Sequence, residues 1–172
     1  EIGNHTYDHT DLLDLEDDQF VEKVGQGWTG LTEAYREVKP DILALPFGNS
    51  PDREKHPAQR AMMRDGFEYD GQRITIAAAL MVGADPASSP ASSEWDPLFI
   101  ARIRAYDGEL GSTEWLDLLQ DAPNLVYRSD GDPTTITVPE ITDKTLGTLD
   151  VERLEADGRM IIVYDDDTGD TV

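Results

Sequence analysis

Between residues 20 and 47 a helical repeat of apolar residues is followed at once by a short apolar run. From Phe20 to Val38 the apolar positions recur at three- and four-residue steps, which predicts an amphipathic helix with one buried face. Pro40 is expected to end it, because proline lacks the backbone donor and clashes with the preceding turn. The run from Asp41 to Phe47 suits a buried parallel strand. A helix that leads directly into such a strand is typical of α/β domains.

The same alternation continues downstream, so we predict an α/β fold for the whole chain. Further helices are expected at 56–65, stopped by Gly66, and after a capping Ser112. Strands are expected at 74–82, 124–127, 134–138 and 159–164, a long loop at 85–97, and a polar, turn-rich stretch at 140–158. At 172 residues the chain has the length of one domain, predicted to span 1–172 with an acidic tail at 165–172.

Acidic residues dominate the charge: 36 Asp and Glu against 14 Lys and Arg give a formal net charge of −22. A basic face for nucleic acid is therefore not expected. The carboxylates are spread along the chain, which favours a solubilising surface of the kind expected in a high-salt organism. The alternative is attraction of cations or of a cationic sugar. No apolar run reaches membrane-spanning length, and without cysteine any metal must use nitrogen and oxygen ligands.

Two of the three histidines, His5 and His9, lie four residues apart at the start of the chain. Four residues make one helical turn, so both imidazoles can face one point and form half of a metal site. On spacing alone, two titrating surface groups are the simpler interpretation.

The residues around the histidines add information. Glu1-Ile-Gly-Asn-His-Thr-Tyr-Asp-His-Thr-Asp-Leu12 resembles the second motif of the polysaccharide deacetylase family (carbohydrate esterase family four, the chitooligosaccharide deacetylase homology domain). Leu45-Pro-Phe-Gly48 resembles the family's Arg-x-Pro-Tyr/Phe-Gly motif, in the right order and at about the right spacing. The resemblance covers roughly residues 1–140.

The resemblance implies a distorted (β/α) barrel and a metal-dependent hydrolase that removes acetyl groups from an N-acetylated polysaccharide or oligosaccharide, or cleaves acetyl esters. It implies that His5 and His9 bind a divalent metal, with zinc favoured, which activates water and the acetyl carbonyl. It further implies an aspartate base, a late histidine acid, and an extracellular or cell-envelope location. The family's first motif, Thr-Phe-Asp-Asp, would precede Glu1, so we expect the barrel to be incomplete at its N-terminus.

Substrate-binding residues also follow from the resemblance. Pro46, Phe47 and Gly48 match the groove motif, and Asn49 follows on the same loop. Two departures stand out: the motif's arginine position falls on Ala44, and no histidine occurs after His56, which is interpreted as a surface residue at a helix start.

Several residues could replace the missing groups. Arg102 or Arg104, with Asp107 nearby, could take the orienting role and contact substrate, and Arg104 and Asp107 are our candidates. The alternative is an ion pair on a half-buried segment. The pair Trp95-Asp96 loosely resembles a family groove motif, although a loop anchor is the simpler interpretation. The triplet Tyr164-Asp165-Asp166 resembles the first motif and could serve it in a permuted barrel.

Three functions therefore compete. The first is a metal-dependent deacetylase. The second, suggested by the missing arginine and late histidine, is a catalytically inactive carbohydrate-binding or cell-surface module. The third is a generic acidic α/β domain in which the two histidines are accidental.

Overall fold

The structure, a computed structural model, describes residues 2–83, 85–121, 129–139 and 149–164. The chain divides into two compact units, each described here by itself. The first comprises Glu1–Pro86 and Asp96–Ile103, and the second Ala87–Trp95 and Arg104–Val172. No helix within the described ranges is long and apolar enough to cross a membrane. The single domain over 1–172 stays a prediction.

Helices and strands alternate in the first unit. In chain order they are α1 (Asp17–Ala34), β1 (Ile42–Ala44), α2 (Pro57–Asp65), β2 (Phe67–Tyr69), β3 (Gln72–Ile74) and β4 (Ala78–Leu80), with 3₁₀ turns at Leu12–Asp14 and Pro46–Gly48. The predicted helix at 56–65 is confirmed, and Gly66 follows it at φ 81°. Glycine suits that position because a Cβ there would lie 2.5 Å from the Ile74 carbonyl oxygen.

Four parallel segments of this unit lie side by side in chain order. β1 pairs with β4 in parallel register, Leu43 opposite Ala79. Asn4 forms a parallel bridge to Leu43, and Ile100 forms one to Leu80. α1 lies between Asn4 and β1, and α2 lies between β1 and β4, so these segments have the α/β arrangement that the sequence predicts. The loops that follow the carboxyl ends of such strands commonly carry functional residues.

Three sequence predictions for this unit are wrong in their bounds. The first helix ends at Ala34, well before Pro40, because Tyr35 leaves helical geometry with its side chain 53% exposed. The strand predicted at 41–47 spans only Ile42–Ala44, because a 3₁₀ turn begins at Pro46. The strand predicted at 74–82 is two strands, because β3 pairs antiparallel with β2 whereas β4 pairs with β1.

The core of the first unit lies between α1, α2 and the strands. Its fully buried side chains come from both helices and from the sheet, and they include Phe20, Val24, Leu43, Leu45, Met63 and Ile74. The apolar face predicted for α1 is thus the face that packs.

The second unit contains two parallel strands with a described helix between them in the sequence. It holds α3 (Ser112–Asp121), β5 (Thr135–Pro139), α4 (Val151–Ala156) and β6 (Met160–Tyr164). β5 and β6 pair in parallel, which confirms strands near 134–138 and 159–164.

The prediction of a turn-rich 140–158 is wrong at α4, where Asp150 caps the helix and Leu154 is buried. Ser112 is the first helical residue of α3, and the loop expected at 85–97 forms no helix or strand in its described residues. The strand predicted at 124–127 and the tail at 165–172 lie outside the described residues.

Gly27 permits α1 to approach the first loop closely. Asn4, 2% exposed, donates from its side chain to the Val24 carbonyl oxygen at 2.9 Å and accepts from the Thr6 N–H at 3.0 Å. A Cβ on Gly27 would lie 2.3 Å from Asn4 Oδ1 and 2.9 Å from the Thr6 carbonyl carbon. Gly30, also in α1, has no atom within 4 Å of such a Cβ.

These two glycines make a matched test. Gly27→Ala should lower the free energy of unfolding by about 1–3 kcal/mol, because the methyl group must displace held atoms. Gly30→Ala should raise it by about 0.5–1 kcal/mol, since alanine is the better helix former. Urea unfolding of both variants measures this, and equal effects would refute the close approach at Gly27.

Candidate metal and carbohydrate site

The first loop leaves the sheet beside β1. The Asn4 N–H donates to the Ile42 carbonyl oxygen at 2.7 Å, and the Asn4 carbonyl accepts from the Ala44 N–H at 2.8 Å. The peptide before His5 is therefore held like a strand residue. His5 consequently emerges at the carboxyl end of a parallel segment, and the loop carrying Phe47 emerges from the same end of β1.

The His5 ring is oriented by backbone. Its Nδ1 lies 2.7 Å from the Ala44 carbonyl oxygen. A carbonyl can only accept, so Nδ1 must carry the ring proton in this contact. The neutral imidazole then has its lone pair on Nε2, which is the form that a metal ligand requires.

His9 and Phe47 complete a three-ring cluster with His5. The His5 and His9 ring centres are 4.7 Å apart at 74°, and those of His9 and Phe47 are 4.5 Å apart at 71°. The two histidines converge through a loop and not through a helical turn, because Thr6 and His9 have φ of 61° and 62°. The prediction that helical spacing places the two imidazole rings side by side is therefore wrong in its cause, although the two rings are in contact.

Backbone bonds and one ion pair hold this loop on α1. The His9 N–H donates to Thr6 Oγ1 at 3.1 Å, and the Tyr7 N–H donates to the Lys23 carbonyl oxygen at 3.0 Å. Lys23 Nζ donates to Asp8 Oδ2 at 2.6 Å. Together with a bond from Thr10, this contact lowers the pKa of Asp8 to about 2.

The predicted groove residues play unequal parts. Pro46 and Gly48 are buried, whereas the Phe47 side chain is 62% exposed and its φ is 55°. A Cβ on Gly48 would lie 2.2 Å from Val82, which explains glycine at that position. Asn49 donates from Nδ2 to Asp11 Oδ2 at 2.6 Å and so joins the two loops. Phe47 is thus the member of the set that offers surface to a ligand.

The distance between the two histidine rings is compatible with one shared zinc ion. Zn–N bonds of about 2.0–2.1 Å place each ring centre roughly 3 Å from the metal, so rings 4.7 Å apart can share one ion. Catalytic zinc sites use three protein ligands. Among the residues that the structure describes, no group of three or more His, Asp or Glu could hold a metal. A third ligand therefore has no assignment.

The proposed substitutes for the missing arginine have other contacts. Arg102 donates from Nε to the Met81 carbonyl oxygen at 2.6 Å. Arg104 and Asp107 lie in the second unit and are exposed. Within the described ranges no ion pair joins Asp107 to Arg104. Substrate binding by Arg104 and Asp107 stays a prediction.

The remaining candidates are also placed. Asp96 forms an ion pair with Arg64 at 2.7 Å, which supports the anchor interpretation of the Trp95-Asp96 pair. His56 is the N-cap residue of α2, as interpreted from sequence, and its Nδ1 accepts from the Asp52 N–H at 3.1 Å. Of the triplet Tyr164-Asp165-Asp166, Tyr164 ends β6, and the two aspartates lie outside the described residues.

The Asp8–Lys23 pair predicts an acid dependence. Asp8 has a lowered pKa in the folded chain, so the pair stabilises the fold above the ordinary carboxyl pKa of about 4 and loses that effect as the pH falls towards 2. Lys23→Gln should raise the pKa of Asp8 in an NMR titration. It should also lower Tm at pH 7 but not at pH 2, with the exposed Lys39→Gln as control. An unchanged Asp8 titration would contradict the pairing.

Comparison with known proteins found a family match for the N-terminal part of the chain. The model of the family described as Polysaccharide deacetylase matches residues 1–65, a shorter range than the resemblance suggested. Searches of curated proteins and of solved structures found no match. The matched range contains His5, His9 and Phe47 together with α1, β1 and α2. Residues 1–65 are therefore similar to part of a polysaccharide deacetylase family domain.

Proposed function

We propose that the chain belongs to a metal-dependent hydrolase that removes acetyl groups from a carbohydrate polymer, with His5 and His9 as two ligands of a divalent metal, zinc being the first candidate. The family match over residues 1–65 supports the reaction class. The observation that carries the proposal is the His5 ring, whose Nδ1 is bonded to the Ala44 carbonyl beside the His9 ring.

The Ala44 carbonyl has the role that backbone oxygens commonly have behind metal ligands. A ligating histidine usually donates its second ring N–H to a carbonyl or carboxylate, which fixes the tautomer and the ring orientation. His5 meets that condition without a side-chain partner. A divalent metal bound there would lower the pKa of a bound water and polarise the acetyl carbonyl.

Phe47 would contribute to substrate binding. Its ring is exposed and lies edge to face against His9. Carbohydrate rings have apolar faces that pack on aromatic side chains, as apolar ligand surfaces do in pockets generally. An acetylated sugar resting on Phe47 would thus hold its acetyl group near the two histidines.

The same proposal extends to fold and location. The four parallel segments in chain order are the beginning of a distorted (β/α) barrel, with its active face at the carboxyl ends of the strands. A polymeric carbohydrate substrate favours an extracellular or cell-envelope site of action.

Zinc binding tests the histidines directly. His5→Ala and His9→Ala should each weaken zinc affinity by about tenfold or more in calorimetry, because each removes a ligand. Both should abolish acetate release from acetylated chito-oligosaccharides. His56→Ala is the matched control, since its ring bonds the Asp52 N–H, and it should retain zinc affinity.

Two results would separate the alternatives. Zinc affinity that is unchanged in both variants would refute the metal site. Oligosaccharide binding by a zinc-loaded chain that releases no acetate would instead support the catalytically inactive carbohydrate-binding or cell-surface module.

Phe47 can be tested apart from the metal. Phe47→Ala should weaken oligosaccharide binding by about threefold to tenfold, since an aromatic contact contributes about 0.5–1.5 kcal/mol. Zinc affinity should not change. Tyr35→Ala, which removes another exposed aromatic ring of the first unit, should affect neither measurement. Equal oligosaccharide affinity in both variants would show that Phe47 is not a sugar contact.

A further inference from the structure

Three arginines line one cleft on the first unit. The cleft has a volume of about 410 Å³ and is bordered by Arg53, Pro57, Arg60, Ala61 and Arg64. That is within the range of ligand pockets and larger than a bare ion requires. Its walls are the first two turns of α2 and the loop before it.

Two of the guanidinium groups are held in place. The Arg60 Cζ lies 3.8 Å from the centre of the Phe99 ring, and one of its N–H groups donates to the Pro51 carbonyl oxygen at 3.0 Å. The Arg64 Cζ lies 5.9 Å from the same ring centre, and its Nη2 donates to Asp96 at 2.7 Å. Each guanidinium has five N–H donors, so most remain for a ligand.

This cluster of positive charge stands out because the chain as a whole is strongly acidic. The chain has 14 basic residues against 36 acidic ones, and yet three arginines face one cleft. Burial, together with repulsion from Arg53 and Arg64, lowers the pKa of Arg60, while Asp96 and Asp52 act in the opposite direction. The Asp52 carboxylate already accepts from the N–H groups of Glu54 and Lys55. Two carboxylates thus act on three guanidinium groups, which leaves a local excess of one positive charge.

We propose that the Arg53–Arg60–Arg64 cleft binds an oxyanion of the carboxylate, sulfate or phosphate type, either free or carried by an acidic sugar. Planar arginine forks match the paired oxygens of these groups and bind them by charge-assisted hydrogen bonds. An anion seated there would relieve the repulsion between the three cations. Asp96, which pairs with Arg64, is then a competitor for one of the three arginines of the site.

The loop that follows β1 connects Phe47 of the ring cluster to the cleft beside α2. Pro51, whose carbonyl holds Arg60, is four residues beyond Phe47 and thus within about 14 Å of it at full extension. A sugar chain bearing acidic groups could therefore reach both places. The oxyanion site itself does not depend on the proposed hydrolase activity.

Calorimetry on the full chain at one fixed ionic strength tests the site, with inorganic phosphate, glucuronate and neutral glucose as titrants. We expect one saturable site for phosphate and glucuronate and none for glucose. Arg53→Gln and Arg64→Gln should each weaken binding by fivefold or more. Arg36→Gln removes the same charge elsewhere on the first unit and should leave the affinity unchanged.

Asp96→Asn supplies a test that loss of folding cannot imitate. It removes the competing charge but keeps an oxygen that can accept from the Leu98 N–H, as Asp96 Oδ1 now does at 3.0 Å. Phosphate should bind several-fold more tightly to this variant. Tighter binding of oligoglucuronate than of phosphate would identify an acidic carbohydrate as the source, and equal binding a free anion. The proposal fails if neither anion binds, if Arg53→Gln and Arg64→Gln behave like Arg36→Gln, or if Asp96→Asn weakens binding.

Discussion

The position of the ring cluster depends on one buried residue, Asn4. Its backbone bonds both neighbours of Leu43, and its side chain bonds the Val24 carbonyl and the Thr6 N–H. One residue thereby fastens the first loop to the sheet and to α1 at once. Breaking any of these bonds would leave a buried polar group unpaired, which is costly. The left-handed backbone at Thr6 and His9 can persist because the loop is fixed at Asn4 and again at Tyr7, whose N–H donates to the Lys23 carbonyl oxygen.

Charge is organised at two scales in this chain. The acidic excess is spread widely and acts on solubility and on long-range encounter. Local contacts oppose it at particular places: Lys23 lowers the pKa of Asp8 on the first loop, and three arginines line one cleft beside α2. Exposed ion pairs contribute little to stability. Their effect here is positional, because they hold the loops that carry the candidate ligand-binding groups.

The sequence predicts the parts of the fold that depend on periodicity. The buried face of α1, the stop at Gly66 and the last two strands follow from apolar spacing and glycine geometry. The sequence does not predict strand bounds that depend on tertiary pairing. Residues 74–82 form one continuous apolar run, but Ile74 pairs with β2 in a hairpin while Ala79 pairs with β1. The site shows the same division. Motif spacing brings out His5, His9 and Phe47. It does not reveal the Ala44 carbonyl or the packing of Arg60 and Arg64 on Phe99, because these partners are distant in sequence.

The tautomer of His5 tests the central claim most directly. Long-range ¹H–¹⁵N NMR of the imidazole nitrogens distinguishes a proton on Nδ1 from one on Nε2. The contact with the Ala44 carbonyl predicts the Nδ1–H form before metal is added, and a large shift of Nε2, with Nδ1 still protonated, when zinc is added. A proton on Nε2, or a zinc-dependent shift confined to Nδ1, would contradict the account.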